Sequence, residues 1–195
     1  HKYKCIFVHI PRCAGTSIEH ALVGKNWWRI EPSTKHLIAS TAKKIYKEYW
    51  DEYFKFSLVR NPWDRMISMG KFPAFYGVHL NKENDSVNLS GYLKKFPNIE
   101  VDPRSKSRHD NFSPEPNSVY LNILNEELDY IGKFENLQED YNIICDAINK
   151  PRATLANDPP HQSRHKHYAF YYDDETREII AEKYAKDIEY FGYEF

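Results

Sequence analysis

The stretch KCIFVHIPRCAGTSI, Lys4 to Ile18, decides how the rest of the chain is read. Its first half, Lys4 to Ile10, is a short apolar run of the kind that forms a buried strand. Pro11 ends that run, because proline has no N–H to give to a sheet. Arg12 to Gly15 is a turn, and the pattern from Thr16 to about Val23 is helical. Small residues in the turn let backbone N–H groups approach an anion. The free amides and partial positive charge at the helix start then favour a phosphate there. Arg12 adds a permanent cation, and Thr16 and Ser17 add hydroxyl donors. The competing reading is an ordinary strand-to-helix turn with a threonine cap, since one glycine is a weak signal. The Walker pattern G-x-x-x-x-G-K-[ST] is absent.

The same logic recurs further along. Phe54 to Val59 (FKFSLV) is a second apolar strand, closed by Arg60-Asn61-Pro62, and Trp63 to Met69 continues as a helix with Pro62 near its first turn. Arg60 ends the strand and Ser68 lies on the helix, so the two converge if the helix folds back across the strand end. Open α/β sheets bind ligands at those strand ends. The competing role for Arg60 is an ion pair with Asp64. Two anion-suited strand ends in one small sheet suit a ligand with two separated phosphates.

Between these segments, Trp27 to Ile30 reads as a short strand and Ser40 to Tyr49 as an amphipathic helix with a Ser or Thr cap. Gly77 to Pro116 is polar, with a short helical stretch near Ser90 to Phe96. It reads as a binding or lid insertion, or else as a disordered surface insertion. Tyr130 to Lys133 reads as a strand, Leu137 to Ile148 as a helix, Asn157 to His167 as a basic loop and Asp174 to Asp187 as a helix. Strands alternating with helices predict one α/β domain over residues 1–195: a central parallel sheet of about four or five strands flanked by helices in three layers.

Composition bounds the rest. With 195 residues, 41% of them hydrophobic and 28% charged, the chain suits one globular domain rather than a disordered or fibrous one. Lys+Arg at 27 against Asp+Glu at 28 leaves a net charge of −1, so no overall basic field draws it to nucleic acid or anionic lipid. Cys5, Cys13 and Cys145 form no CxxC, which favours a reducing compartment over a disulfide scaffold. No apolar run approaches the roughly 20 residues that span a bilayer. Aromatics at 15% offer flat faces with polar tips, suited to sugar or base stacking or to a plain core.

IFVHIPRCAGTSI (Ile6 to Ile18) and FSLVRNPWDRMIS (Phe56 to Ser68) resemble the two nucleotide-binding signatures of the sulfotransferases. The likeness is to the carbohydrate-type group that includes heparan 2-O-sulfotransferases and their bacterial relatives. Gly132 to Tyr141 and Tyr171 to Phe195 resemble that family's later segments. The resemblance implies a P-loop NTPase-like fold and transfer of a sulfo group from 3'-phosphoadenylyl sulfate (PAPS) to a hydroxyl, with a carbohydrate as the expected acceptor. PAP, adenosine 3',5'-bisphosphate, is the product and no metal is required.

The resemblance also implies roles for particular residues. Arg12, Cys13, Ala14, Gly15, Thr16 and Ser17 would hold the 5'-phosphosulfate, with Arg12 also catalytic. Arg60 and Ser68 would hold the 3'-phosphate. Ser163 and Arg164, in the loop before the last helix, would close over the donor. Arg12 departs from the family's usual Lys, replacing a point charge by a planar fork that keeps its proton.

Sulfo transfer needs a base for the acceptor hydroxyl, and a neutral histidine suits that work. His36 is the candidate, from the interval in which related sulfotransferases place theirs. The competing role is a helix-start histidine bonded to backbone. His109 is the rival base, or an acceptor contact with Arg108 and Tyr76. His9 is expected to pack within or beside the first strand. His161, His165 and His167 lack partners that would complete a metal set. Two other readings stay open: a catalytically silent nucleotide- or glycan-binding module, which Arg12 favours, and a P-loop-like kinase. The expected location is cytoplasmic for a bacterial chain, or the Golgi lumen if a membrane anchor stands upstream.

Overall fold

A computed structural model of the chain describes residues 2–70, 104–109, 113–155 and 165–195, with backbone alone at 108–109. Strand β1 (Cys5–Val8) lies parallel to β2 (Phe54–Val59), and β2 lies parallel to β3 (Tyr130–Lys133), giving the order β1-β2-β3. In register, Val8 faces Ser57 and Val59 faces Lys133. Helices flank this parallel sheet, so the fold is α/β. β2 is central and covered on both faces, which is why Phe56, Ser57, Leu58 and Val59 are all buried while β1 alternates. The Ser57 hydroxyl, buried in that strand, finds its acceptor in the Val8 carbonyl at 2.6 Å.

Because the strands are parallel, both signature segments leave the sheet at the same end. β1 runs through Pro11 into α1 (Gly15–Val23), and β2 runs through Arg60-Asn61 into α4 (Pro62–Gly70). Between them come α2 (Ala39–Ile45) and α3 (Lys47–Trp50). The later helices are α5 (Tyr120–Ile123), α6 (Leu137–Ala147) on β3, and α7 (Asp174–Lys183) followed by α8 (Ala185–Phe191). The core joins the sheet to these helices through Ile10, Ile18, Phe56, Leu58, Met66, Tyr120, Ile144 and Tyr184, all fully buried.

Asn61 shows why α4 starts where it does. Its side-chain oxygen accepts from the Trp63 amide at 3.1 Å and the Asp64 amide at 3.3 Å, and Pro62 follows as the first helical residue. Asp187, buried in α8, caps α5 from a distance: its carboxylate accepts from the Ser118 hydroxyl and from the amides of Val119, Tyr120 and Leu121.

Four expectations need correction. Trp27 to Ile30 is no strand; Trp27–Arg29 is a 3-10 turn, because the Asn26 side chain accepts from the Trp28 amide and Glu19 from the Trp27 amide. The sheet has three strands among the described residues, where four or five were expected. The helix expected over Ser40 to Tyr49 breaks at Tyr46, and its start has no Ser or Thr cap. The Ser40 amide there donates to Asn125, a residue 85 positions away. The helix expected over Asp174 to Asp187 breaks at Tyr184, whose hydroxyl accepts from Arg65. The helix near Ser90 to Phe96 lies outside the described residues.

Candidate active site

The turn after β1 bends on two residues of positive φ, Arg12 at 66° and Ala14 at 60°. Each costs on the order of 1–3 kcal/mol and persists only when surrounding contacts over-determine it. Those contacts come from the second signature. Arg65, fully buried on α4, donates through Nε to the Pro11 carbonyl at 2.9 Å and through Nη1 to the Tyr184 hydroxyl at 2.8 Å. Arg60 donates through Nη1 to the Arg12 carbonyl at 3.2 Å. Ala14 then begins α1 with no side-chain cap, so the ordinary threonine-capped turn is not what forms. The amides of Ser17 and Ile18 close on the Ala14 carbonyl, while those of Gly15 and Thr16 start the helix with no acceptor inside it. Such a turn presents N–H groups to an anion.

Glycine at 15 is required by packing. A Cβ there would lie 1.9 Å from Nε2 of His9, whose ring fills the space behind the turn.

Arg12 and Ser68, drawn from the two signatures, meet directly: Arg12 Nε donates to Ser68 Oγ at 3.0 Å. Arg60 lies beside them, stacked over Phe134 at 4.0 Å from the ring centre. The ion pair with Asp64 that the sequence offered as the alternative is present, through Nε at 2.6 Å. It occupies one nitrogen of the fork, and the same guanidinium still reaches the Arg12 loop. Burial, with Arg60 close by, pushes Arg12 down to about 10, the direction expected of a cation taken out of water beside another cation. An anion between Arg12, Arg60 and the helix start would oppose that shift.

From the closing loop, His165 comes to this cluster. Its Nδ1 donates to the Lys166 carbonyl at 2.8 Å, which leaves Nε2 to accept from Arg60 Nη2 at 3.4 Å. Ser163 and Arg164, the residues singled out from that loop, lie outside the described residues, as does Tyr76. Of Arg108 and His109 only the backbone is described, in the 3-10 turn Lys106–His109.

His36 is buried just ahead of α2. Its ring stands edge-on to His9, centroids 4.7 Å apart, and to Trp28 at 5.2 Å. Ser105 Oγ donates to the His36 carbonyl at 3.0 Å, and the Ile38 amide donates to Ser107 Oγ at 2.8 Å. The downstream end of the polar insertion is therefore stitched to the candidate base. Arg104 sits 3.7 Å over the Trp28 ring that walls it.

The site also contains a cluster that sequence reasoning missed. His9 Nδ1 donates to Glu19 Oε1 at 2.7 Å, and Glu19 Oε2 accepts from Lys35 Nζ at 2.5 Å and the Trp27 amide at 2.9 Å. All three side chains are buried. These bonds hold Glu19 down at about 2 against the cost of burial, and burial pushes the His9 imidazole below its usual range. Nothing in the spacing of residues 9, 19 and 35 marks them as partners. The available signal was one acidic residue on an otherwise apolar face of α1.

A family model described as the sulfotransferase family matches residues 1–194. The chain belongs to the sulfotransferase family. Sulfo-group transfer, a transferase chemistry, is thus the activity of its family, and the match runs across both signature turns and the closing helices. No curated protein and no solved structure matches the chain. Among the described residues, no three His, Cys, Asp or Glu side chains gather as a metal site, and no helix is long and apolar enough to cross a membrane.

Proposed function

We propose that this sulfotransferase moves the sulfo group of PAPS to a carbohydrate hydroxyl by in-line displacement, with His36 as general base. The observation that carries the reading is the junction of the two signature turns: Arg12 on Ser68 and Arg60 on the Arg12 carbonyl. This junction supports one nucleotide held by both ends. The amides of Gly15 and Thr16, with the backbone of Cys13 and Ala14 and the hydroxyls of Thr16 and Ser17, bind the 5'-phosphosulfate. Arg60 and Ser68 bind the 3'-phosphate. Arg12 stabilises the charge that grows on the departing phosphate; as a guanidinium it contributes charge rather than a transferable proton. His36 takes the acceptor proton as the hydroxyl oxygen attacks sulfur.

Support for a glycan acceptor comes from a cavity of about 700 Å³ beside β1, whose walls include Phe7, Trp27, Tyr46, Tyr49 and Tyr53. Aromatic faces of this kind suit sugar rings. Calorimetric titration with PAP, with ATP and 5'-AMP as controls and no metal present, tests the donor reading. Binding that depends on the 3'-phosphate is the expected result. A preference for ATP with Mg²⁺ would overturn it in favour of a kinase.

A further inference from the structure

We propose that the acceptor is an amphipathic glycoside: a sugar whose hydroxyl meets His36, carrying an apolar aglycone that fills the cavity beside β1. The proposal rests on the glycan reading above and names the class of glycan. At about 700 Å³ the cavity has the volume of a site for a drug-sized ligand. It runs along the strand. At one end stand His9, whose ring is edge-on to that of His36, and Lys35 and Leu37, the residues on either side of His36. At the other stand Cys5, which opens β1, and Tyr53, which precedes β2. At about 3.3 Å per residue, Cys5 and His9 are about 13 Å apart, longer than one sugar ring.

Hydrogen bonding decides what fills that length. A saccharide brings several hydroxyls per ring, and each one taken out of water needs a partner. The polar groups at the His9 end are engaged with one another. Glu19 accepts from His9 Nδ1, from Lys35 Nζ and from the Trp27 amide. Lys35 also donates to Asn26 Oδ1 at 2.9 Å, and Trp27 Nε1 donates to Thr34 Oγ1 at 2.9 Å. His9 Nε2 abuts Gly15. Further along, the walls include Ile6, Leu22, Val23 and Ala42 with the rings of Phe7 and Tyr46. Lys2 and Lys4 line the cavity from exposed positions, and Lys4 is paired with Glu52. One sugar ring can lay its apolar face on an aromatic wall, but an oligosaccharide lodged along the cavity would leave hydroxyls unpaired. An apolar aglycone instead gains burial against the same walls. In the reaction, the sugar's hydroxyl oxygen bonds to sulfur as the bond from sulfur to the bridging phosphate oxygen breaks. PAP leaves with that electron pair, and the hydroxyl proton passes to His36.

The experiment is calorimetric titration of the PAP-loaded protein with methyl, butyl, hexyl and octyl β-glucosides, each below its micelle-forming concentration. Affinity is expected to rise by up to about fourfold for each methylene buried, and by more than about tenfold from methyl to octyl. The octyl compound should bind with a negative heat-capacity change. Equal affinity for the methyl and octyl compounds would overturn the proposal, and that comparison needs no variant. Val23→Trp, at the half-exposed wall where α1 ends, narrows the cavity. It should weaken octyl binding by about tenfold or more, with PAP affinity within about twofold because Val23 lies outside both turns. Octyl binding unchanged in a folded Val23→Trp protein would put the chain elsewhere and overturn the proposal as well. Failure of the glycan reading looks different. Octyl glucoside is then bound and lost in Val23→Trp, yet labelled PAPS sulfates none of the octyl glycosides of glucose, galactose and mannose.

Discussion

Gly15→Ala is the sharpest test of how this turn is built. The added methyl would stand 1.9 Å from His9 Nε2 and 2.1 Å from its Cδ2, well inside contact distance. The ring cannot retreat freely, because Glu19 holds Nδ1 at 2.7 Å and Phe7 covers one face. Relief needs either a shift of the α1 start or loss of the His9–Glu19 bond. The first is overpacking, at about 1–3 kcal/mol. The second breaks a buried hydrogen bond to a charged group, at about 1.5–3 kcal/mol. Either route, or a mixture, predicts a loss of about 1–3 kcal/mol. At about 2–4 °C per kcal/mol for a chain of this size, Tm falls by roughly 2–12 °C. Thermal unfolding followed by circular dichroism reads the loss, and PAP titration reads the damage to the turn. A Tm within about 2 °C of the parent would refute the steric argument. So would additivity with His9→Ala, because removing the ring must remove the clash and make the pair less harmful than the sum.

Arg60→Ala removes the cation shared by the Arg12 loop, Asp64 and the proposed 3'-phosphate. PAP affinity should fall more than tenfold, about 1.4 kcal/mol, and an unchanged calorimetric isotherm would discard that assignment. Glu19 predicts an acid limb of stability. Its pKa is lowered from 4.5 to about 2 on folding, so the unfolded chain binds the proton more tightly. The contribution is whole above pH 4.5 and drains away as pH falls toward 2, by roughly 3 kcal/mol in all. Urea unfolding of the parent and Glu19→Gln should therefore converge in acid; a constant gap would contradict the sign. Asp187→Ala strips α5 of its remote cap and leaves several buried donors unpaired, a loss of about 3 kcal/mol or more in urea unfolding. A loss under about 1 kcal/mol would mean the cap is dispensable.

Much of the site was legible in the sequence because it is local. A strand, a proline, small residues and a helix start are contiguous in Lys4 to Ile18, and the same syntax recurs from Phe54 to Ser68. Parallel pairing then brings two such strand ends together, so the meeting of Arg12, Arg60 and Ser68 followed from the α/β reading. His36 was singled out by its place between elements, and the structure sets its ring edge-on to His9. Trp27 to Ile30 misled, because its apolar residues are spent on a 3-10 turn around Asn26 and Glu19 rather than on a strand.

What the chain determined by itself is the order of strands and helices and the two anion-suited turns, since these depend on neighbours in sequence and on backbone chemistry. What only the tertiary structure decided is which side chains finish those turns. Arg65 on the Pro11 carbonyl, Glu19 on His9, Lys35 on Glu19, Asn125 on α2 and Asp187 on α5 are pairings across 10 to 85 positions. Burial makes them obligatory, because a polar group taken out of water must find a partner. Which partner it finds is set by the fold's geometry, and no local pattern carries that information.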